Sequence, residues 1–189
     1  MNPKNIEEYV KVYKNIIDNN LCKKTINELN KVDWVEHKHY NYNENRYVSY
    51  NNDVSICYLD TECKKIIQNK IWHVIEKYII FDFKVCDEWW SSWKGYSELK
   101  FNKYEKNKTM RLHCDHIHSM FDGQRKGIPI LSIIGCLNNN YEGGEFIMWD
   151  KVIKIPEGAV LVFPSNFMFP HKVNPVKKGV RYSFVSWVF

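Results

Sequence analysis

The sequence predicts an α+β protein of one domain, 1–189, with a helical N-terminal support over about 1–97 and a strand-rich core over about 98–189. Three observations carry this. Apolar residues recur at three- and four-residue spacing in the N-terminal part. Beyond Glu98 the apolar runs shorten to strand length. Clusters of Gly, Asn, Pro or Lys, which are turn chemistry, separate those runs. At 189 residues, 44% hydrophobic and 26% charged, the chain has the composition of a globular protein and ample length for a core. The aromatic share of 15% predicts an aromatic-lined interior or binding face. A net charge of +5 spread over scattered lysines gives little ground for nucleic-acid binding.

Taken in order, Ile6, Tyr9, Val10, Tyr13, Ile16 and Ile17 form one helical stripe. Ile26 and Leu29 continue it after the polar break at Asp18, Asn19 and Asn20, so 4–30 reads as two short amphipathic helices. Residues 32–52 are polar and aromatic without a period, an irregular strand and a long loop; His37 and His39 there read as surface histidines. A short strand fits 54–59. Asp60 or Thr61 then caps a helix to about Tyr78, with Ile66, Ile67, Ile71, Trp72, Ile75 and Ile79 as its apolar stripe and His73 as a structural residue. From Leu99 to the end about eight short strands imply a sandwich or barrel whose mouth can take a ligand.

The six cysteines contain no CxxC pair, so neither a zinc ribbon nor a thioredoxin-type motif is present. The N-terminus is polar and shows no secretory signal. The most apolar run, 71–83, is broken by His73, Glu76, Lys77 and Asp82 and is too short to span a membrane. Free thiols in a reducing compartment follow, and the expected location is the cytoplasm.

The chemistry-bearing stretch runs over 113–181. On a strand, His113 and Asp115 share one face, because side chains alternate with period 2. If His171 joins them from a distant strand, the three make the 2-His-1-carboxylate set of a non-haem Fe(II) site. A zinc site of His113, His116 and His118 is the rival, and it lacks clustered cysteines to complete a tetrahedral set. The segment after His171 reads as a hairpin whose second strand puts Arg181, Ser183, Val185 and Trp187 on one face. A buried Arg needs an anion, and its planar fork suits a carboxylate. Iron at one end and Arg181 at the other therefore predict an anionic cosubstrate between them.

These residues resemble, in order, the 2-oxoglutarate/Fe(II)-dependent dioxygenases of the prolyl 4-hydroxylase type. The resemblance covers about 100–189 and rests on Tyr104, His113 with Asp115, Leu137-Asn138, Gly143-Gly144-Glu145, Gly158 with Phe163, His171 through Gly179, Arg181 and Trp187. It implies a double-stranded β-helix, the jelly-roll or cupin-like barrel, with the N-terminal helices packed against the sheet. It further implies His113, Asp115 and His171 as iron ligands, Arg181 as the holder of the far carboxylate of 2-oxoglutarate, and Ser183 and Tyr104 as cosubstrate contacts. Two departures stand out. Cys136 occupies the place of a tyrosine that often contacts 2-oxoglutarate, and Asn107 stands where a glycine is usual. Gly143 and Gly144 fit a tight strand connection.

The activity implied is hydroxylation of a prolyl or other residue in a peptide or protein, with O2 consumed, succinate and CO2 released, and ascorbate as reductant. A free amino acid or other small molecule is the alternative substrate. Nucleic-acid demethylases of similar pattern carry a second Arg six residues beyond the first, where this chain has Trp187. A non-catalytic barrel that binds a small acid or sugar is the remaining alternative. Trp89, Trp90 and Trp93, with Tyr96, form either a peptide-binding wall or packing for the N-terminal helices. The polar loop 119–129 is a candidate lid.

Overall fold

The computed structural model describes residues 5–41, 43–85, 95–115 and 129–189. Trp89, Trp90 and Trp93, His116 and His118, and all of the candidate lid except Pro129 lie outside the described residues.

A single 3-10 turn, Ile6–Tyr9, leads into strand β1 (Lys11–Tyr13) and helix α1 (Asn19–Leu29). Four short strands follow: β2 (Val35–Glu36), β3 (His39–Asn41), β4 (Arg46–Val48) and β5 (Ser55–Cys57). Helix α2 (Glu62–Glu76) continues into a wide π turn, Lys77–Asp82. The remainder is strand: β6 (Lys100–Tyr104), β7 (Met110–His113), β8 (Leu131–Cys136), β9 (Glu142–Gly143), β10 (Phe146–Met148), β11 (Lys151–Ile153), β12 (Val160–Pro164), β13 (His171–Val173), β14 (Val176–Lys178) and β15 (Arg181–Val188).

The expectation of two helices over 4–30 is corrected at its first half. Residues 11–13 are extended and pair antiparallel with β12, Val12 opposite Leu161. A sheet edge open to pairing outweighs a weak helical period in so short a segment. The polar break is a helix start: the Asp18 side chain accepts a hydrogen bond from the Leu21 amide at 2.9 Å. In α2, Thr61 is the cap, and Ile67, Ile71, Ile75 and Ile79 are buried while Ile66 and Trp72 stand on the exposed side. Six apolar residues make a stripe wider than the contact face needs.

Seven strands form the larger sheet in the order β1-β12-β8-β15-β6-β5-β2, and four form the smaller, β11-β10-β13-β7. Three strands of the larger sheet therefore come from before residue 98. One apolar cluster joins its outer face, through Phe101, Ile133, Val160, Val162 and Phe184, to α1 and α2. A second fills the space between the sheets, with Ile134, Leu161, Phe163 and Val185 on one side and Phe146, Met148 and Val173 on the other. Gly158, at φ +73°, lies in the turn just before β12, and its carbonyl accepts the Ile16 and Ile17 amides ahead of α1.

Candidate active site

β7 and β13 pair antiparallel with His113 directly opposite His171, so a 58-residue separation in sequence closes to ring centroids 4.4 Å apart. Asp115 follows β7, with Oδ1 3.6 Å from His113 Nε2 and 3.9 Å from His171 Nε2. One ligand atom from each of the three lies within 4.8 Å of the others. Each imidazole is oriented from behind. His113 Nδ1 donates to the Arg111 carbonyl at 2.7 Å and His171 Nδ1 to the Phe169 carbonyl at 3.0 Å. A carbonyl only accepts, so Nδ1 carries a proton in each ring and Nε2 is the atom that faces Asp115, free to bind a metal once it is unprotonated. Ser132 donates to Asp115 Oδ2 and contacts Ser165 at 2.6 Å, leaving Oδ1 toward the histidines.

The electrostatics suit a cation. Burial pushes the Asp115 carboxyl up, but hydrogen bonding from His113, the charges of His171 and His113 and the Ser132 hydroxyl together hold it well below the usual carboxylate range. Burial pulls His171 down, only partly offset by Asp115. For His113, about a third exposed, burial acts downward too, but the Asp115 contact wins and the net direction is up. Two neutral-capable imidazoles and one carboxylate on one side of a cavity are a donor set that fits Fe(II).

That cavity, about 520 Å³, lies between the sheets, and Arg181 is at its other end. Arg181 stands opposite Tyr104 across β15 and β6 and is 2% exposed. It donates from Nη1 to Ser183 Oγ at 3.0 Å, and its guanidinium carbon lies 5.0 Å from the Tyr104 ring centroid. Its Nε is buried without a partner. A buried guanidinium with an orphaned N–H and no carboxylate beside it, among the described residues, is a socket for an anion. Tyr104, Ser183, Arg181 and the metal-ligand set all line this one cavity.

Sequence reasoning missed several residues in or beside the cavity. Tyr141 sits beside Arg181, with its hydroxyl 3.7 Å from Cys136 Sγ, in a loop that no periodicity places. A phenol thus contacts Arg181 from a neighbouring position, and Cys136 is buried. Lys100 and Asn102 line the cavity too, and period-2 alternation back from Tyr104 was signal enough to find them. The expectation of surface histidines is corrected for His37, which lines the cavity with Nδ1 buried and unpartnered. Burial and then the nearby Lys100 charge push its pKa down to about 3. His39 is half-buried at the mouth, stacked on Tyr50 and 3.9 Å from Asp53. The reason is the hairpin β3–β4, which carries His39, Tyr40 and Tyr47 to the mouth. Gly143 and Gly144 take positive φ, +76° and +65°, where β9 meets β14, and Asn107 takes φ +68° in the turn after β6.

Comparison with known proteins gives consistent likenesses. A family described as the 2OG-Fe(II) oxygenase superfamily matches residues 99–189. A PKHD-type hydroxylase of Idiomarina loihiensis is 29% identical over 99 residues, which are 50% of this chain and 43% of that protein. Another, of Thermosynechococcus vestitus, is 33% identical over 96 residues, 48% of this chain and 42% of the relative. The chain thus spans about half or less of the length of these relatives. Among solved structures, a Trichoplax adhaerens prolyl hydroxylase, in complex with a hypoxia inducible factor oxygen degradation domain peptide fragment, superimposes with TM-score 0.70 at 18% identity. It covers 96% of this chain and 84% of that one. A Pseudomonas putida prolyl-4-hydroxylase gives 0.67 at 16% identity, covering 95% and 91%.

Proposed function

We propose, from the match of residues 99–189 to the 2OG-Fe(II) oxygenase superfamily, that the chain is a 2-oxoglutarate- and Fe(II)-dependent hydroxylase of prolyl 4-hydroxylase type. Its substrate is a prolyl or other residue in a peptide or protein. The observation that carries this is the pairing, in one cavity, of the His113–Asp115–His171 set with the buried Arg181 guanidinium, whose Nε has no partner. On this reading the two sheets are the halves of a double-stranded β-helix, the jelly-roll barrel. The strands β1, β2 and β5 tie the N-terminal part into the same sheet, which supports one domain over 1–189.

His113, Asp115 and His171 would hold the iron, and Arg181 would hold the cosubstrate in the same cavity. Iron with 2-oxoglutarate and O2 supplies the oxidising chemistry, in which one oxygen atom enters a substrate C–H bond and the other enters succinate as CO2 leaves. The chain's own part is placement. Arg181, with Ser183 and Tyr104 beside it, fixes the far carboxylate of 2-oxoglutarate. The main-chain carbonyls of Arg111 and Phe169 keep both Nε2 atoms aimed at the ion, and Ser132 keeps Asp115 from turning. Phe146 and Phe163 pack on the His171 ring, at centroid distances of 5.2 and 5.0 Å, and shut water from the back of the site. Ascorbate would be the external reductant for such a centre.

No described helix is long and apolar enough to cross a membrane. Five described cysteines are free thiols, which supports a reducing compartment such as the cytoplasm. The buried Lys100 in the wall of the same cavity favours a second reading, a free amino acid as substrate.

The test is direct. Purified chain with Fe(II), ascorbate and 2-oxoglutarate is expected to release succinate and to add one oxygen to members of a peptide or amino-acid library, read by mass spectrometry. Absence of succinate together with absence of a visible Fe(II)–2-oxoglutarate charge-transfer band overturns the assignment.

A further inference from the structure

The cavity contains a second cation for which the hydroxylase reading has no use. β6 and β15 face each other so that Tyr104 opposes Arg181, Asn102 opposes Ser183 and Lys100 opposes Val185, all of them lining the cavity. Trp187 comes next along the same face of β15. Lys100 is only 8% exposed, and its Nζ lies 4.8 Å from the centre of the Trp187 ring. The lysine ion pairs found among the described residues belong to Lys64, Lys103, Lys151 and Lys178, so Lys100 has no carboxylate of its own. The nearest acidic influence is Asp115, which iron would claim.

Unsatisfied atoms surround it. Asn102 Oδ1, Trp187 Nε1 and His37 Nδ1 are each buried with no hydrogen-bond partner. Buried polar atoms are almost always paired, so several orphans on one wall of a cavity mark a place where a ligand completes them. The group they fit is defined by their chemistry. An ammonium and an indole N–H are donors only and take an anion, while the Asn102 oxygen takes an N–H.

2-Oxoglutarate does not fill this role as well. Arg181 and the position facing Lys100 are four residues apart along β15, about 13 Å at the usual strand rise. An extended five-carbon diacid spans about 6 Å with bonds near 1.5 Å, so it meets both cations only where the two long side chains lean toward each other. Lys100 also leans onto Trp187, at the end of the row away from Arg181.

We propose that Lys100, with the Trp187 indole N–H, receives a carboxylate of the substrate, and that Asn102 Oδ1 receives an N–H near it. The substrate is therefore an acidic molecule. This rests on the hydroxylase reading and narrows its substrate class. The same chemistry comes from two sources, the α-carboxylate of a free amino acid or the side chain of Asp or Glu in a peptide.

The experiment measures substrate-stimulated succinate release with three probe sets: free L-amino acids, blocked peptides containing Asp or Glu, and the matching amino-acid amides and Asn or Gln peptides. The carboxylate probes are expected to give at least a tenfold lower KM than their carboxamides, and Lys100→Met is expected to bring that ratio close to one. Stimulation by free amino acids alone, or by acidic peptides alone, supports the inference and names the source. Equal KM values for carboxylates and carboxamides in the unsubstituted chain, a comparison that needs no variant, overturn it. So does a loss of 2-oxoglutarate affinity in Lys100→Met as large as that in Arg181→Ala, because Lys100 would then serve the cosubstrate. Succinate formed without any probe while none stimulates sinks this inference and leaves the hydroxylase standing. No succinate and no charge-transfer band with Fe(II) and 2-oxoglutarate sinks both.

Discussion

Asp115 receives the Ser132 hydroxyl on one oxygen and faces two imidazole Nε2 atoms with the other, so replacing it with Asn removes charge and little else. Asp115→Asn and His171→Ala are each expected to abolish the visible Fe(II)–2-oxoglutarate band; a variant that keeps the band refutes its ligand role. Arg181→Ala is expected to weaken 2-oxoglutarate binding by about 1.5–3 kcal/mol or more, the worth of a charge-assisted hydrogen bond, as read by titration of that band. Protons compete with metal at His113. Its pKa lies above the ordinary 6.5, so metal affinity falls as pH drops through that raised value, with about one proton released per ion bound below it and none well above it. Calorimetry in two buffers of different ionisation enthalpy checks this.

Lys100 titrates with the opposite consequence for folding. Burial brings its pKa down to about 8 from 10.5, so between those values the unfolded chain binds more protons. Stability contributed by this residue therefore rises with pH across that window, by on the order of 3 kcal/mol at 1.36 kcal/mol per pKa unit. Urea unfolding at pH 8 and 10 is expected to show this rise in the parent chain relative to Lys100→Met, and equal slopes refute it. Residues such as His113, Asp115 and Arg181 were legible because strand alternation and a recurring motif order both point to them. His37 and Tyr141 were not, since one lies just past a two-residue strand and the other in a loop, where no period says which way a side chain faces.

At the level of elements, legibility followed length. α2, with fifteen residues and a Thr61 cap, is where the spacing predicts it. β1 has three residues and borrows its conformation from β12, so local pattern had nothing to distinguish it from a helical turn. β2 has two and the same dependence on β5. Turn residues carry more information than their number implies. A Cβ at Gly158 would stand 2.0 Å from the Ile17 carbonyl oxygen, on a backbone at φ +73°. Gly158→Ala is expected to cost about 1–3 kcal/mol or more, as overpacking does, and the midpoint of urea unfolding measures it. An unchanged midpoint would mean that the approach of α1 to β12 is soft.

For the whole molecule, the larger sheet is the shared wall of two apolar clusters, one toward the helices and one toward the smaller sheet. The strand-rich remainder was legible from its short apolar runs and turn residues, whereas the recruitment of β1, β2 and β5 into the larger sheet was not, because those pairings are nonlocal. Ligands that complete the cavity are expected to stabilise this arrangement. Mn(II), standing in for Fe(II), with 2-oxoglutarate at a hundred times its Kd adds about 2.7 kcal/mol by mass action. A thermal shift that appears in the parent chain and vanishes in Arg181→Ala supports the anion socket. The pairing of β1 onto β12 has one more consequence. Any shortened chain that starts beyond Tyr13 would leave the outer peptide groups of β12 bare, and a second molecule can zip onto them. Such a truncation is expected to elute at a size that grows with concentration, so affinity tags belong at the front of the full chain and never in place of its first strand.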